Sequence, residues 1–109
     1  MKNYKSDISI QPSRRSRSIS AWEVIDNKGK LVGTFDANKD KTADKHDRLM
    51  AIAEIKNIQN LLSDVRERIK DVFLKNEEWE ISDRAMQALS QTKMAHIELT
   101  EIIGHIKQS

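Results

Sequence analysis

A chain of 109 residues, 38% hydrophobic and 33% charged, is the size of one small domain and richer in charge than an average globular chain, as long helices with solvated faces are. It contains no cysteine, which removes disulfides and thiolate metal sites, and no apolar run approaches the ~20 residues of a membrane span. Only three glycines are present and no serine sits in a Gly-x-Ser-x-Gly elbow, so neither a phosphate-cradling loop nor a nucleophile motif can be assembled and an enzyme is not expected.

The net charge of +2 is unevenly spread. Residues 1–18 hold Lys2, Lys5, Arg14, Arg15 and Arg17 against Asp7 alone, a net of +4, which leaves −2 for residues 19–109. With Pro12 and the run Ser13-Arg14-Arg15-Ser16-Arg17-Ser18, this segment reads as a flexible basic arm without a core of its own. Such a cluster serves either as a solubilising tail or as a phosphate contact. Tyr4, Ile8 and Ile10 alternate loosely and would suit an edge strand. The N-terminus lacks the apolar core of a secretory signal, so a cytoplasmic location is expected.

Residues 19–109 are expected to form a single domain. Over residues 19–36, Trp22 and Val24 alternate with Glu23 and Ile25, Asn27-Lys28-Gly29-Lys30 supplies turn chemistry, and Leu31-Val32-Gly33-Thr34-Phe35 is again β-prone. This is a β-hairpin pattern in which Gly29 takes the positive φ, and Trp22 and Val24 face Phe35 and Leu31 or Val32. An isolated two-stranded hairpin is unstable, so it must lie on a helix or pair across a dimer. Trp22 is either its anchor or, if turned outward, a platform for a nucleic-acid base.

A long helix is predicted over 39–75, with Asn38, Asp40 and Thr42 competing as N-caps and Asp44 suited to the dipole at its start. Ala51, Ile55, Ile58, Leu62, Val65, Ile69 and Val72 recur at alternating spacings of four and three, a heptad seam that requires a partner. Leu49, Ile52, Leu61 and Phe73 widen it beyond a two-stranded zipper. After Asn76-Glu77-Glu78-Trp79-Glu80, a second helix is predicted over 82–107 with Ser82 as cap and an Ile81–Met86 hydrophobic staple. Its apolar face comprises Ala85, Leu89, Leu99, Ile102, Ile103 and Ile106, and the short connection predicts an antiparallel return. The fold class is therefore α+β, mostly α.

Asp44 and Asp47, with Asp40 nearby, present carboxylates that a divalent cation would accept, but acids in a first turn are explained by the helix dipole and by Lys41 and Arg48. His46, His96 and His105 lack the spacing of a helical zinc site, and His96 falls on the second helix's apolar stripe as a core or interface histidine. Neither a metal nor another cofactor is expected.

The run Trp22-Glu23-Val24-Ile25, a turn, Val32-Gly33-Thr34-Phe35, then Ala43-Asp44-Lys45-His46-Asp47-Arg48-Leu49-Met50 and Ala53-Glu54-Ile55 resembles the YebG family of small bacterial proteins. That family shows a strand–turn–strand followed by an Ala-Asp-x-aromatic-Asp-basic-Met/Leu helix start. His46 stands at the aromatic position, a departure that keeps a ring and adds a titratable nitrogen. Asp83-Arg84-Ala85-Met86-Gln87-Ala88-Leu89 is similar to the family's second helix, so the resemblance spans about residues 22–103. The arm and residues 59–75 have no counterpart. The resemblance implies a cytosolic protein induced by DNA damage within the SOS response, and it leaves the biochemical activity open.

The function these observations favour is a non-enzymatic accessory protein of the DNA-damage response or nucleic-acid metabolism. Arg14, Arg15 and Arg17, helped by Lys28 and Lys30, would contact phosphates without sequence preference. A homodimer through Ile55, Ile58, Leu62, Val65, Ile69 and Val72 is expected. The alternative is a protein-interaction module, a small regulator or inhibitor that offers the apolar seam to another protein.

Overall fold

The computed structural model describes residues 8–15, 19–38, 42–75 and 78–108. It is α+β: three strands, β1 (Ser9–Pro12), β2 (Ala21–Ile25) and β3 (Leu31–Asp36), precede two long helices, α1 (Thr42–Lys75) and α2 (Trp79–Gln108). The chain divides into two compact units, one running through Asn57 and the other Ile58–Gln108.

In the first unit the strands form an antiparallel sheet in the order β1-β2-β3. Ser9–Pro12 of the basic arm is thus an edge strand, with Ser9 opposite Ile25 and Pro12 opposite Trp22. The hairpin turn is closed locally. Gly29 takes φ +78°, its N–H donates to the Asp26 carbonyl at 3.1 Å, and the Asp26 N–H donates to the Lys30 carbonyl at 2.9 Å. Asp26 Oδ1 accepts from the Lys28 and Lys30 N–H groups at 2.9 and 3.0 Å, so a nearly buried carboxylate organises the turn. At the opposite end Ser20 Oγ donates to Asp36 Oδ1 at 2.5 Å.

Trp22 lies opposite Phe35, as expected, whereas Val24 lies opposite Gly33. The register then slips so that Ile25 meets Leu31, and the extra residue, Val32, packs against the core. That core is Val24, Phe35 and the α1 residue Ala53, surrounded by Ile8, Val32, Leu49 and Met50. Gly33 permits the close approach of helix and sheet, since a Cβ there would stand 2.5 Å from Leu49 Cδ2. Asn57, buried on the same stripe, fastens the turn to the helix: its Oδ1 accepts from the Asn27 N–H at 2.9 Å.

The predicted helix starts differ from those observed. Thr42 is already helical, and the Asp40 alternative lies outside the described residues. Helix α2 opens at Trp79, ahead of Ser82, whose N–H donates to the Glu78 carbonyl at 3.1 Å and so belongs to the first turn. No glycine or proline interrupts residues 79–82, and Glu80 in the first turn suits the dipole, so the helix propagates upstream. Ile81 and Met86 are both exposed and form no staple.

In the second unit α1 and α2 form an antiparallel helical hairpin. Gln59 Nε2 donates to the His96 carbonyl at 3.1 Å and to Thr100 Oγ1 at 2.8 Å. Among the α2 positions that are buried or half-buried, Ala85, Leu89, Thr92, His96, Leu99, Ile103 and Ile106 keep a four-three spacing, with half-buried Ser82, Ala88 and Gly104 beside them. On α1 half-buried Gln59, Leu62, Arg66, Ile69 and Phe73 keep the same spacing, with half-buried Asn60, Leu61, Ser63 and Asp64 beside them. Ile102, expected on the apolar face, stands 46% exposed beside this seam.

Candidate nucleic-acid interface

Arg14 and Arg15 follow directly on β1 and are exposed. Their position is fixed from behind. The Ser13 N–H donates to the Ala21 carbonyl at 2.9 Å, continuing the β1–β2 ladder, and Glu23 holds the side chains that precede the arginines. Its Oε2 accepts from Gln11 Nε2 and its Oε1 from Ser13 Oγ, both at 3.2 Å. Glu23 is 5% exposed, a buried carboxylate with each oxygen occupied, as burial of a charge requires. Strand alternation puts Glu23 on the face opposite Trp22 and Val24 and says nothing of what covers it. Its partners Gln11 and Ser13 flank Pro12 in the sequence and reach Glu23 once β1 pairs with β2.

Lys28 and Lys30 are exposed in the β2–β3 turn, at the Ser9–Ile25 end of the sheet. The arginines leave at the Pro12–Trp22 end, three residues along the ladder and so about 10 Å of paired strand away before the loops begin. The structure therefore unites Arg14 with Arg15 and separates both from the two lysines; Arg17 lies outside the described residues.

Trp22, paired with Pro12, is an aromatic at the arginine end of the sheet. It shares a strand face with Val24, which places it on the core side, yet it retains 36% of its surface because it sits at the margin of the sheet opposite Pro12 and Phe35. Gln11, Pro12 and Arg14 line a shallow depression at the root of the arm. Trp79's side chain lies outside the described residues.

The family-like helix start is placed against the sheet. His46 is half-buried, with its ring edge-on to Phe35 at a centroid distance of 5.5 Å and an interplanar angle of 84°, the packing an aromatic at this position would adopt. Its Nδ1 lies 3.4 Å from Asp47 Oδ1. Asp44 and Asp47 are exposed, and among the described residues no group of three His, Asp or Glu side chains converges on a point where a metal ion would bind. His96 is half-buried on the α2 seam.

The expected interface residues divide by column. Ile55, Leu62 and Ile69 are half-buried, whereas Ile58, Val65 and Val72 are 44%, 44% and 47% exposed. Two residues that the sequence reading passed over carry polar groups into packed positions: Asn57 in the first unit and Arg66 in the hairpin seam. The Arg66 Nε is buried and finds no hydrogen-bond acceptor among the described residues.

The chain matches no family model, no curated protein and no solved structure. No helix among the described residues is long and apolar enough to cross a membrane.

Proposed function

We propose that the protein binds nucleic acid without strong sequence preference, as a non-enzymatic accessory factor. The observation that carries this reading is the arginine end of the sheet: Arg14 and Arg15 stand exposed beyond a ladder anchored by Glu23, at the end where Trp22 pairs with Pro12 and keeps a third of its surface open. A pair of cations at a fixed root supplies the salt-dependent attraction to phosphate, and an adjacent half-open indole supplies a stacking surface. The turn lysines are a separate, weaker electrostatic contribution. The setting in DNA damage and the SOS response, and the cytoplasmic location, rest on the resemblance to the YebG family through Trp22–Ile25, Val32–Phe35 and Ala43–Met50.

Fluorescence anisotropy of labelled single- and double-stranded DNA against the full chain, across a salt series, tests the proposal. For duplex DNA each lost phosphate contact lowers the magnitude of the log–log salt slope by ~0.9, so replacing Arg14, Arg15 and Arg17 with alanine should reduce it by about 2 to 3. Trp22→Leu should weaken single-stranded binding by roughly ten-fold or more while leaving the slope in place. An affinity unmoved by the triple replacement would remove the arm from the mechanism, and absence of binding at low salt would end the nucleic-acid reading.

A further inference from the structure

The helical hairpin leaves one side uncovered. In the heptad frame that defines its seam, Ile58, Val65 and Val72 occupy the column of α1 next to the α2-facing positions, and all three are exposed. On α2 the corresponding flanking column is Ile81, Ala88, Ala95 and Ile102, with both isoleucines exposed at 38% and 46%. Because α2 runs antiparallel to α1, these two columns turn to the same side of the hairpin. Together they form one apolar face in which two alanines lie between flanking isoleucines.

The order of residues along that face says what fits it. On α2 the apolar column reads Ile81-Ala88-Ala95-Ile102, the same in both directions about a point between Gln91 and Thr92. The next column outward is Arg84-Gln91-Glu98, centred half a residue away on Gln91, with a cation at one end and an anion at the other. On α1 the face is centred on Val65. The hairpin brings these centres to one level: equal steps along the two helices from the Gln59 contact with His96 and Thr100 bring Val65 level with Thr92, one residue from Gln91.

We propose that this face is a two-fold self-association surface for a second copy of the chain. The two-fold axis crosses the helices at the level of Val65 and Gln91. In that arrangement α2 lies antiparallel on the partner's α2, Ile81 meets Ile102, Ala88 meets Ala95 and Ile58 of α1 meets Val72, and each Arg84 meets a Glu98 across the interface, an isologous pairing of the kind closed dimers require. The other face-to-face arrangement, with the axis along the helices, stacks α2 on α1 with the turn ends together. It gathers Arg84 and Arg68 with their copies at one end, where like charges repel, so the charge order selects the first arrangement. From Ile81 to Ile102 the face is about 30 Å long at 1.5 Å per residue, and two helices side by side make it about 20 Å wide. A footprint of about 600 Å² per copy approaches the ~800 Å² per partner of a standard stable interface.

Sedimentation equilibrium of the full chain over a concentration series, without nucleic acid, tests this independently of the DNA reading. The wild type should approach a dimer mass. Val65→Glu, at an exposed helix position, should keep the far-UV spectrum and raise the dimer dissociation constant roughly 100-fold or more, because the two-fold brings two charges into the apolar centre. Arg84→Glu should weaken the dimer, and the exchange Arg84→Glu with Glu98→Arg should restore it, a rescue that mere surface charge would not produce. Val65→Cys, the sole cysteine of its chain, should form an intermolecular disulfide on mild oxidation. A monomer mass at every concentration would overturn the proposal and leave the face to a different protein. A dimer indifferent to Val65→Glu would overturn it as well.

Discussion

Asn57 offers a test that separates hydrogen bonding from hydrophobic burial in how the sheet is held on α1. It lies on the stripe that also carries Leu49, Met50 and Ala53, and only 8% of it is exposed. If the stripe worked by apolar burial alone, Asn57→Leu would add buried hydrocarbon and stabilise the protein. The structure instead gives Asn57 Oδ1 a backbone donor, the Asn27 N–H at 2.9 Å, at the start of the hairpin turn. Losing that acceptor costs about 1 to 3 kcal/mol for a desolvated N–H, and leucine returns about 1 kcal/mol of transfer free energy at most in a site shaped for an amide. The net expectation for Asn57→Leu is a loss centred near about 1 kcal/mol and reaching about 2, with the Asn27 amide left without its acceptor. Urea unfolding followed by far-UV circular dichroism measures the first quantity, with the m-value unchanged if only stability has moved. Amide hydrogen exchange measures the second: the Asn27 N–H should lose protection in the leucine variant while amides of the α1–α2 hairpin keep theirs. A leucine variant as stable as the wild type, or an Asn27 amide equally protected in both, would refute this account of how the turn is fastened.

Three further changes probe the packing. Val24→Ala removes two methyl groups from a fully buried site and should cost about 2 kcal/mol in urea unfolding, from transfer and residual cavity together. Gly33→Val places a side chain where a Cβ alone comes 2.5 Å from Leu49 Cδ2; it should cost about 1 to 3 kcal/mol, and adding Leu49→Ala should recover part of that by clearing the space. Arg66→Met substitutes an unbranched apolar chain for one whose Nε is buried without an acceptor among the described residues, and should raise the urea midpoint by an amount equivalent to about 1 kcal/mol. A lower midpoint would show that the guanidinium contributes more through its packing or its outer nitrogens than the stranded Nε costs.

The parts of the fold that could be read from the sequence are those decided by neighbours along the chain. The turn at Asn27–Lys30 depends on Gly29 reaching positive φ and on Asp26 accepting from the backbone that follows it, both local events. The shared face of Trp22 and Val24 follows from period-two alternation, whereas the pairing of Trp22 with Phe35 also needs the bulge, since an unbroken count from Ile25–Leu31 would set Trp22 against Thr34. What lay beyond local reasoning depended on a third element. Strand β1 needs an open edge of β2 before its short, all-exposed segment is worth ordering, and the Val32 bulge appears where the Gly33–Leu49 approach brings helix and sheet together. Glu23 and Asn57 look like solvent-facing positions until the groups that satisfy them, Gln11, Ser13 and the Asn27 amide, arrive from 10 to 30 residues away.

The candidate sites show the same division. A heptad count along α1 finds a broad apolar stripe, but it cannot assign the columns of that stripe to neighbours. Three different demands fall on this one helix: Leu49, Met50 and Ala53 meet the sheet, Leu62 and Ile69 turn inward within the hairpin, and Ile58, Val65 and Val72 are left open. Reading Ile55, Ile58, Leu62, Val65, Ile69 and Val72 as a single interface merges the last two columns, which the antiparallel return of α2 separates. The basic residues were merged in the same way. Arg14 and Arg15 are close to Lys28 and Lys30 in composition, yet antiparallel pairing of β1 with β2 sends them to opposite ends of the sheet. The arginine end, with Trp22 beside it, is therefore the place where loss of charge should move affinity most, and Lys28→Ala with Lys30→Ala should change the salt slope less than Arg14→Ala with Arg15→Ala in the same anisotropy series. Equal effects from the two pairs would mean that the ligand spans the whole sheet instead of gathering at one end.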